Sequence, residues 1–118
     1  MGSIVVAPAI EFRDLRVDDG RLIEVVIRPG SVVVNLQDWR GHRVMVTFED
    51  VVAFEGGGGL DTDLSHLADS ADDPWILTAC ARADESPQQC RCYSMISAWT
   101  GEPILRVVAR RAAVADPS

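Results

Sequence analysis

The stretch "RLIEVVIRPGSVVVNLQDWRGHRVMVTFED", residues 21–50, constrains the fold of this chain more than any other. Ile23, Val25 and Ile27 alternate with Glu24, Val26 and Arg28, the period-two pattern of a strand. Pro29-Gly30 suits the two central positions of a type II turn. Pairing Arg28 with Ser31 sets Ile27 against Val32, Val25 against Val34 and Ile23 against Leu36. A three-residue connection, Trp39-Arg40-Gly41, then sets Leu36 against Val44, Val34 against Val46 and Val32 against Phe48. Two independent turns give one apolar face, with Asn35, Gln37, Arg43 and Thr47 on the other. That agreement predicts an antiparallel meander.

The last third repeats the style. "PWILTACAR", "QCRCYSMISAW" and "PILRVVARRAAV" read as three further strands. A turn at Thr100-Gly101-Glu102-Pro103 places Ala98 across from Leu105, Ile96 from Val107 and Ser94 from Ala109. Their other face carries Trp75, Leu77, Tyr93, Met95, Trp99, Ile104 and Val108. A strand apolar on both sides is covered twice or carries a binding surface. Between the halves, "DVVAF" reads as a helical turn ending at Gly56. "DTDLSHLADSADDP" reads as a short acidic helix, with Leu64, Leu67, Ala68 and Ala71 at helical spacing, Asp61 or Asp63 as N-cap and Pro74 as a stop.

The fold expected is therefore mainly β: a compact antiparallel barrel or two-layer sandwich of about six to seven strands. One or two short helices join the two three-stranded halves. The 118 residues form one domain, 1–118, with an N-terminal segment 1–12, a Gly/Asp-rich loop and acidic helix over 55–74, and a disordered tail over 113–118.

Charge then limits function. Residues 49–85 hold ten acidic side chains against Arg82 alone, a balance of −9. The remaining eight acids and ten arginines give +2, for a net charge of −7. Such a chain lacks the basic face a nucleic-acid binder needs. No apolar run approaches the roughly 20 residues of a membrane span. The opening "MGSIVVAPAIEF" has no basic n-region, so a cytoplasmic location is the default expectation. The eleven basic residues are all arginine, which rules out Schiff-base chemistry and the phosphate lysine of a P-loop.

Candidate chemistry is sparse. "FEGGGGLDTDL" has Asp61 where a dinucleotide fingerprint needs its third glycine, and aspartates beside the glycines would repel phosphate. Asp61-x-Asp63 offers hard oxygen ligands, but Ser65 and His66 follow where a calcium loop continues with oxygen ligands and a glycine. The stretch reads as slack before a capped helix. Pairing Arg82 with Gln88 would bring Cys80 opposite Cys90 and Thr78 opposite Cys92, with the three sulfurs on one face. These cysteines are buried thiols, a cross-strand disulfide, or zinc ligands together with His42 or His66. The C-x-C spacing departs from a zinc knuckle, and buried thiols fit best. Hydrolase motifs are missing, and Ser65-His66, adjacent on a helix, would point apart. Arg106, Arg110 and Arg111 read as partners for the acidic segment. No catalytic residue and no cofactor is expected.

The acidic turn "DLRVDDG", the Trp-Gly turn, the strand ending "FED" and the closing "GEPILRVVAR" resemble those of small bacterial β-rich proteins, some of them similar to immunity proteins of toxin systems. The resemblance covers residues 14–55 and 101–110. It implies an antiparallel β-rich fold and carries over no catalytic residue.

The leading expectation is a non-enzymatic protein-binding module. Trp39, Trp75, Tyr93, Met95 and Trp99 would make the contact, and Asp61, Asp63, Asp69, Asp72 and Asp73 would steer a basic partner. An immunity-like role against a basic toxin is one form of it. The alternatives are a small-ligand binder or enzyme using the β interior, with the cysteines or Arg106 and Arg110 as polar groups, and a homodimer through the doubly apolar strands.

Overall fold

Both predicted connections close in the computed structural model, which describes Phe12, residues 19–56 and residues 63–115. They join β1 (Gly20–Arg28), β2 (Ser31–Gln37) and β3 (Arg43–Gly56) into an antiparallel meander. Val25 faces Val34, Ile27 faces Val32, Leu36 faces Val44 and Val32 faces Phe48, all as expected. One pairing moves: Leu22, not Ile23, faces Leu36, because the ladder bulges at Ile23. A bulge inserts one residue into one strand and so shifts which side chains point inward. Leu22 is accordingly buried and Ile23 only partly so.

Downstream the elements are β4 (Asp63–Ser70), α1 (Pro74–Ala83), a 3-10 turn at Pro87–Gln89, β5 (Arg91–Ser97) and β6 (Pro103–Ala115). Five expectations are corrected here. "DVVAF" is not a helical turn: β3 continues through it, paired with β6 as far as Gly56–Leu105. The acidic "helix" is strand β4. A bulge between Leu64 and His66 puts two apolar residues three apart on the same inner face, which imitates helical spacing.

Conversely "PWILTACARA" is the helix. Pro74 starts it rather than stopping an earlier one, since a first-turn proline has no N–H to lose. The Asp73 carboxylate caps it by accepting from the Trp75 N–H at 2.9 Å. Ile76, Ala79 and Cys80, at helical spacing, form its buried stripe. The helix closes on Asp84, whose left-handed N–H bonds the Cys80 carbonyl.

The β5–β6 register is the fourth correction, and the chain's far end holds the fifth. Buried Ser97 accepts from the Trp99 and Thr100 N–H groups, and its own N–H donates to the Glu102 carbonyl, so the loop is longer than a tight turn. Met95 consequently faces Leu105 and Tyr93 faces Val107. The slip from the expected register is odd, so β5 turns its other face inward. At the chain's far end Ala113, Val114 and Ala115, expected in a disordered tail, pair with Thr47, Val46 and Met45. Residues 57–62, with the slack assigned to them, and residues 116–118 lie outside the described residues.

The strand order is β1-β2-β3-β6-β5-β4, and the sheet closes on itself where β1 meets β4. That seam has only two residue pairs, Gly20–Leu64 and Arg21–Asp63, so the barrel is not a clean one. Its interior is filled. Leu22, Val34, Leu36, Val46, Leu64, Met95 and Leu105 are essentially inaccessible to solvent. Phe12, Phe48 and Tyr93 meet at ring-centre distances of 5.7, 5.1 and 5.2 Å. Each such side chain contributes about 1.5–3 kcal/mol by leaving water.

Two glycines test this packing. Gly56 has φ +91°, and a Cβ there would lie 2.3 Å from the Ile104 carbonyl oxygen. Gly30 has φ +76° with open space around it. Gly30→Ala is therefore expected to cost about 1 kcal/mol of backbone strain, and Gly56→Ala about 3 kcal/mol because neighbouring backbone must also move. Urea denaturation of both variants checks the difference; equal costs would contradict the close β3–β6 approach.

Candidate functional site

The outer face of the β3–β6–β5 ladder is where the chain assembles its second hydrophobic cluster. Ile76, Ala79 and Cys80 of α1 pack there on Cys90, Cys92 and Val108, with Val52, Ala53 and Trp75 at the margin. Strands β5 and β6 are thus covered on one side by the barrel core and on the other by α1. The covering element is α1, residues 74–83, which the sequence reading took for a strand.

The three cysteines do meet in space, through helix packing instead of a hairpin. All are free and buried. Burial, then a hydrogen bond with Cys80 and the charge that thiol would carry, push the Cys90 thiol up to about 11. Burial also raises Cys92, against the opposing charge of Arg106. Such thiols are poor nucleophiles and poor metal ligands at neutral pH. Among the described residues no group of three or more His, Cys, Asp or Glu side chains could hold a metal ion.

Arg106 fastens this layer. Its guanidinium donates to Glu55 Oε1 and Asp73 Oδ2, each at 2.7 Å, and lies 4.7 Å from the centre of the Trp75 ring. One residue so joins the end of β3, the helix cap and the first aromatic of α1. The other arginines of its strand behave similarly: Arg110 donates to Glu85 and Arg111 to Glu49, both at 2.7 Å. The arginine row balances the acidic segment, as its charge pattern suggested.

That pairing changes the role of the acids. Asp73 is held by Arg106, Asp69 by Arg91, and Asp63 by Arg21 at 3.7 Å. Asp72 is exposed and makes no ion pair among the described residues, while Asp61 lies outside them. Of the aromatic candidates, Tyr93 and Met95 are buried in the barrel and absent from the surface, and Trp75 is half-buried beside Arg106. Trp39 and Trp99 are 70% and 79% exposed. Their loops flank the seam: Gln37 pairs with Arg21, Arg21 with Asp63, and the Asp63 carbonyl accepts from the Ala98 N–H. Ser65 and His66, in a strand and not a helix, lie 3.1 Å apart, yet no carboxylate orients His66 among the described residues. The pair lacks the third group of a catalytic triad.

The surface feature that sequence reasoning missed starts at Asp50. This residue has φ +53°, and the following Val51 N–H bonds the Gly30 carbonyl at 3.1 Å, folding β3 over the β1–β2 turn. A bulge at Val52 then re-aims the next side chains. Val51 packs toward the barrel core, whereas Val52 and Ala53 pack toward α1. Two depressions result. One, of about 350 Å³, lies between Ile27, Arg28 and Val51–Phe54; the other, of about 260 Å³, lies between Val52, Ala53, Trp75, Ala79 and Arg82. Both linings include Val52 and Ala53, and the first forms an apolar trough beside the β1–β2 turn. Ile27 and Phe54 stand 53% and 41% exposed along it. The signal was present in the sequence as "VVAF", four apolar residues that break the strict alternation of β3.

Two outcomes follow. Arg106→Ala is expected to cost about 2 kcal/mol, because it strands Asp73 and Glu55 and unstacks Trp75. Calorimetry and Trp75 emission read it; a loss under about 0.5 kcal/mol would contradict the fastening role. The pH profile tests the thiol layer. Below about pH 9 both folded and unfolded Cys90 hold the proton; between the ordinary value of 9.0 and about 11 only the folded state keeps it. Stability therefore falls as pH rises through that window, by about 1.4 kcal/mol per unit for one thiol. Cys90→Ala should remove most of that slope, and an unchanged slope would contradict its burial.

Among the described residues no helix is long and apolar enough to cross a membrane. No family model, no curated protein and no solved structure matches the chain.

Proposed function

We propose that this chain is a non-enzymatic protein-binding module whose contact surface is the trough between the β1–β2 turn and the kinked half of β3. The observation that carries this reading is the exposure of Ile27 and Phe54 along one continuous apolar depression. Large apolar side chains left in water cost a fold stability, and a contiguous set of them is characteristic of an interaction site. The filled barrel interior favours this over a ligand held inside the sheet. The internal ion pairs of Asp63, Asp69 and Asp73 favour a contact made by apolar side chains over one made by those acids. Trp39 and Trp99 stand apart on the seam loops as single exposed side chains.

The test compares wild type with Ile27→Ser/Phe54→Ser, both positions exposed enough for the fold to tolerate. A lysate of the source organism is passed over each immobilised protein. A stoichiometric protein partner should be retained by wild type and depleted roughly tenfold on the double variant. Retention unaffected by those changes but lost with Trp39→Ser/Trp99→Ser would move the site to the seam. Retention of no protein by either would refute the reading.

A further inference from the structure

Strand β1 is paired along its full length on one side only. There it meets β2, from Arg21–Gln37 to Arg28–Ser31. On the other side it meets β4 at Gly20 and Arg21, so among the described residues the edge of residues 22–28 has no strand beside it. A free edge presents a row of backbone donors and acceptors, and folds guard such edges with prolines, bulges or inward-pointing charges. Here the bulge at Ile23 and the turn at Pro29 stand at either end of residues 24–28 and leave that stretch regular. Glu24, Ile27 and Arg28 are exposed along it, and Val25 and Val26 are partly so.

Val25 packs against the barrel core, so alternation puts Val25 and Ile27 on the inner face and Glu24, Val26 and Arg28 on the outer one. Two copies of such an edge can pair antiparallel about a two-fold axis normal to the sheet. Facing side chains must share a face, so the axis passes through a residue. Charge decides which one. An axis through Glu24 or Arg28 sets that charge against itself, and an axis through Val25 or Ile27 leaves both charges without an opposite. An axis through Val26 sets Glu24 against Arg28 of the second copy, twice, with Val25 against Ile27 and Val26 against itself. Neither charge is neutralised within the chain: Arg28 makes no ion pair among the described residues, and Glu24 only accepts a hydrogen bond from Asn35 at 2.7 Å. Opposite charges facing each other across a strand pair stabilise it, and a guanidinium binds a carboxylate at two points.

From this self-complementarity we propose that the chain pairs with a second copy of itself through residues 24–28 of β1, in the register that sets Glu24 against Arg28. The proposal does not rest on the reading of the trough: the added strand lies beside Ile27 in the plane of the sheet, not over it. A contact this short belongs to the small interface class, below about 1,200 Å². The net charge of −7 on each copy opposes it at long range, but at 0.15 M salt the screening length is about 8 Å. The dimer therefore forms and dissociates with concentration.

Equilibrium sedimentation of the purified protein in 0.15 M salt, from micromolar to millimolar concentration, tests this. The average mass should rise from that of one chain toward that of two. Glu24→Arg alone and Arg28→Glu alone should each weaken association roughly tenfold, because each sets like charges against each other twice. The double swap Glu24→Arg/Arg28→Glu should restore it to the wild-type level. Phe54→Ser, on β3 in the trough, should leave it unchanged. Melting curves of the four variants establish that each is folded. A mass of one chain at every concentration would overturn the proposal, as would a double swap that associates no better than the single variants. Association abolished by Phe54→Ser would place the contact at the trough and overturn it equally. None of these outcomes bears on capture of a different protein from the lysate, which tests the trough by itself.

Discussion

The pairing of β3 with β6 is the constraint on which the rest of the molecule depends. It runs from Met45–Ala115 to Gly56–Leu105, the longest ladder in the sheet. Its inner side chains, Val46, Phe48, Leu105 and Val107, complete the barrel core. Its outer side chains, Val52, Ala53 and Val108, receive α1. On β6 plain alternation supplies both layers, Val107 inward and Val108 outward, whereas β3 sends the consecutive Val52 and Ala53 to the α1 side. The left-handed Asp50 and the bulge at Val52 break the alternation where the second layer begins. The same break opens the trough, so the surface feature follows from the device that lets one strand serve two clusters.

Much of this fold was legible in the sequence, and the failures share one cause. The β1–β2–β3 meander was readable because Pro29-Gly30 and Trp39-Arg40-Gly41 each fixed a register independently. Bulges were not readable, since an extra residue in a strand leaves no mark of its own in hydrophobic periodicity. Ile23, Ser65 and Val52 each sit where a register shifts, and each produced a wrong assignment nearby. At Ser65 the bulge made a strand look helical. Pro74 then served as the stop of that false helix, although it opens α1. The register of β5 depended on the hydroxyl and backbone bonds of Ser97, a small polar residue whose burial no pattern foretold.

The candidate site was less legible than the fold. Trp75, read as a contact residue, stacks on Arg106, and Tyr93 and Met95, read likewise, belong to the barrel interior. The acidic segment read as a docking face because sequence shows charge without showing partners. In space, most of that charge meets Arg91, Arg106, Arg110 and Arg111, and exposed pairs of this kind contribute modestly to stability. Once these pairs are drawn, Arg28, Arg43 and Arg82 are the arginines without an ion pair among the described residues.

The central claim is that partners engage the trough and not the seam loops. Trp39 and Trp99 lie on the two loops beside the seam, and Ile27 and Phe54 along the trough. Each amide and indole N–H gives its own proton–nitrogen correlation in solution NMR. Titrating the labelled protein with the partner captured from the lysate should move the amides of Ile27, Val52 and Phe54 and leave the indole signals of Trp39 and Trp99 in place. Movement confined to Trp39 and Trp99, with Ile27 and Phe54 stationary, would contradict the account.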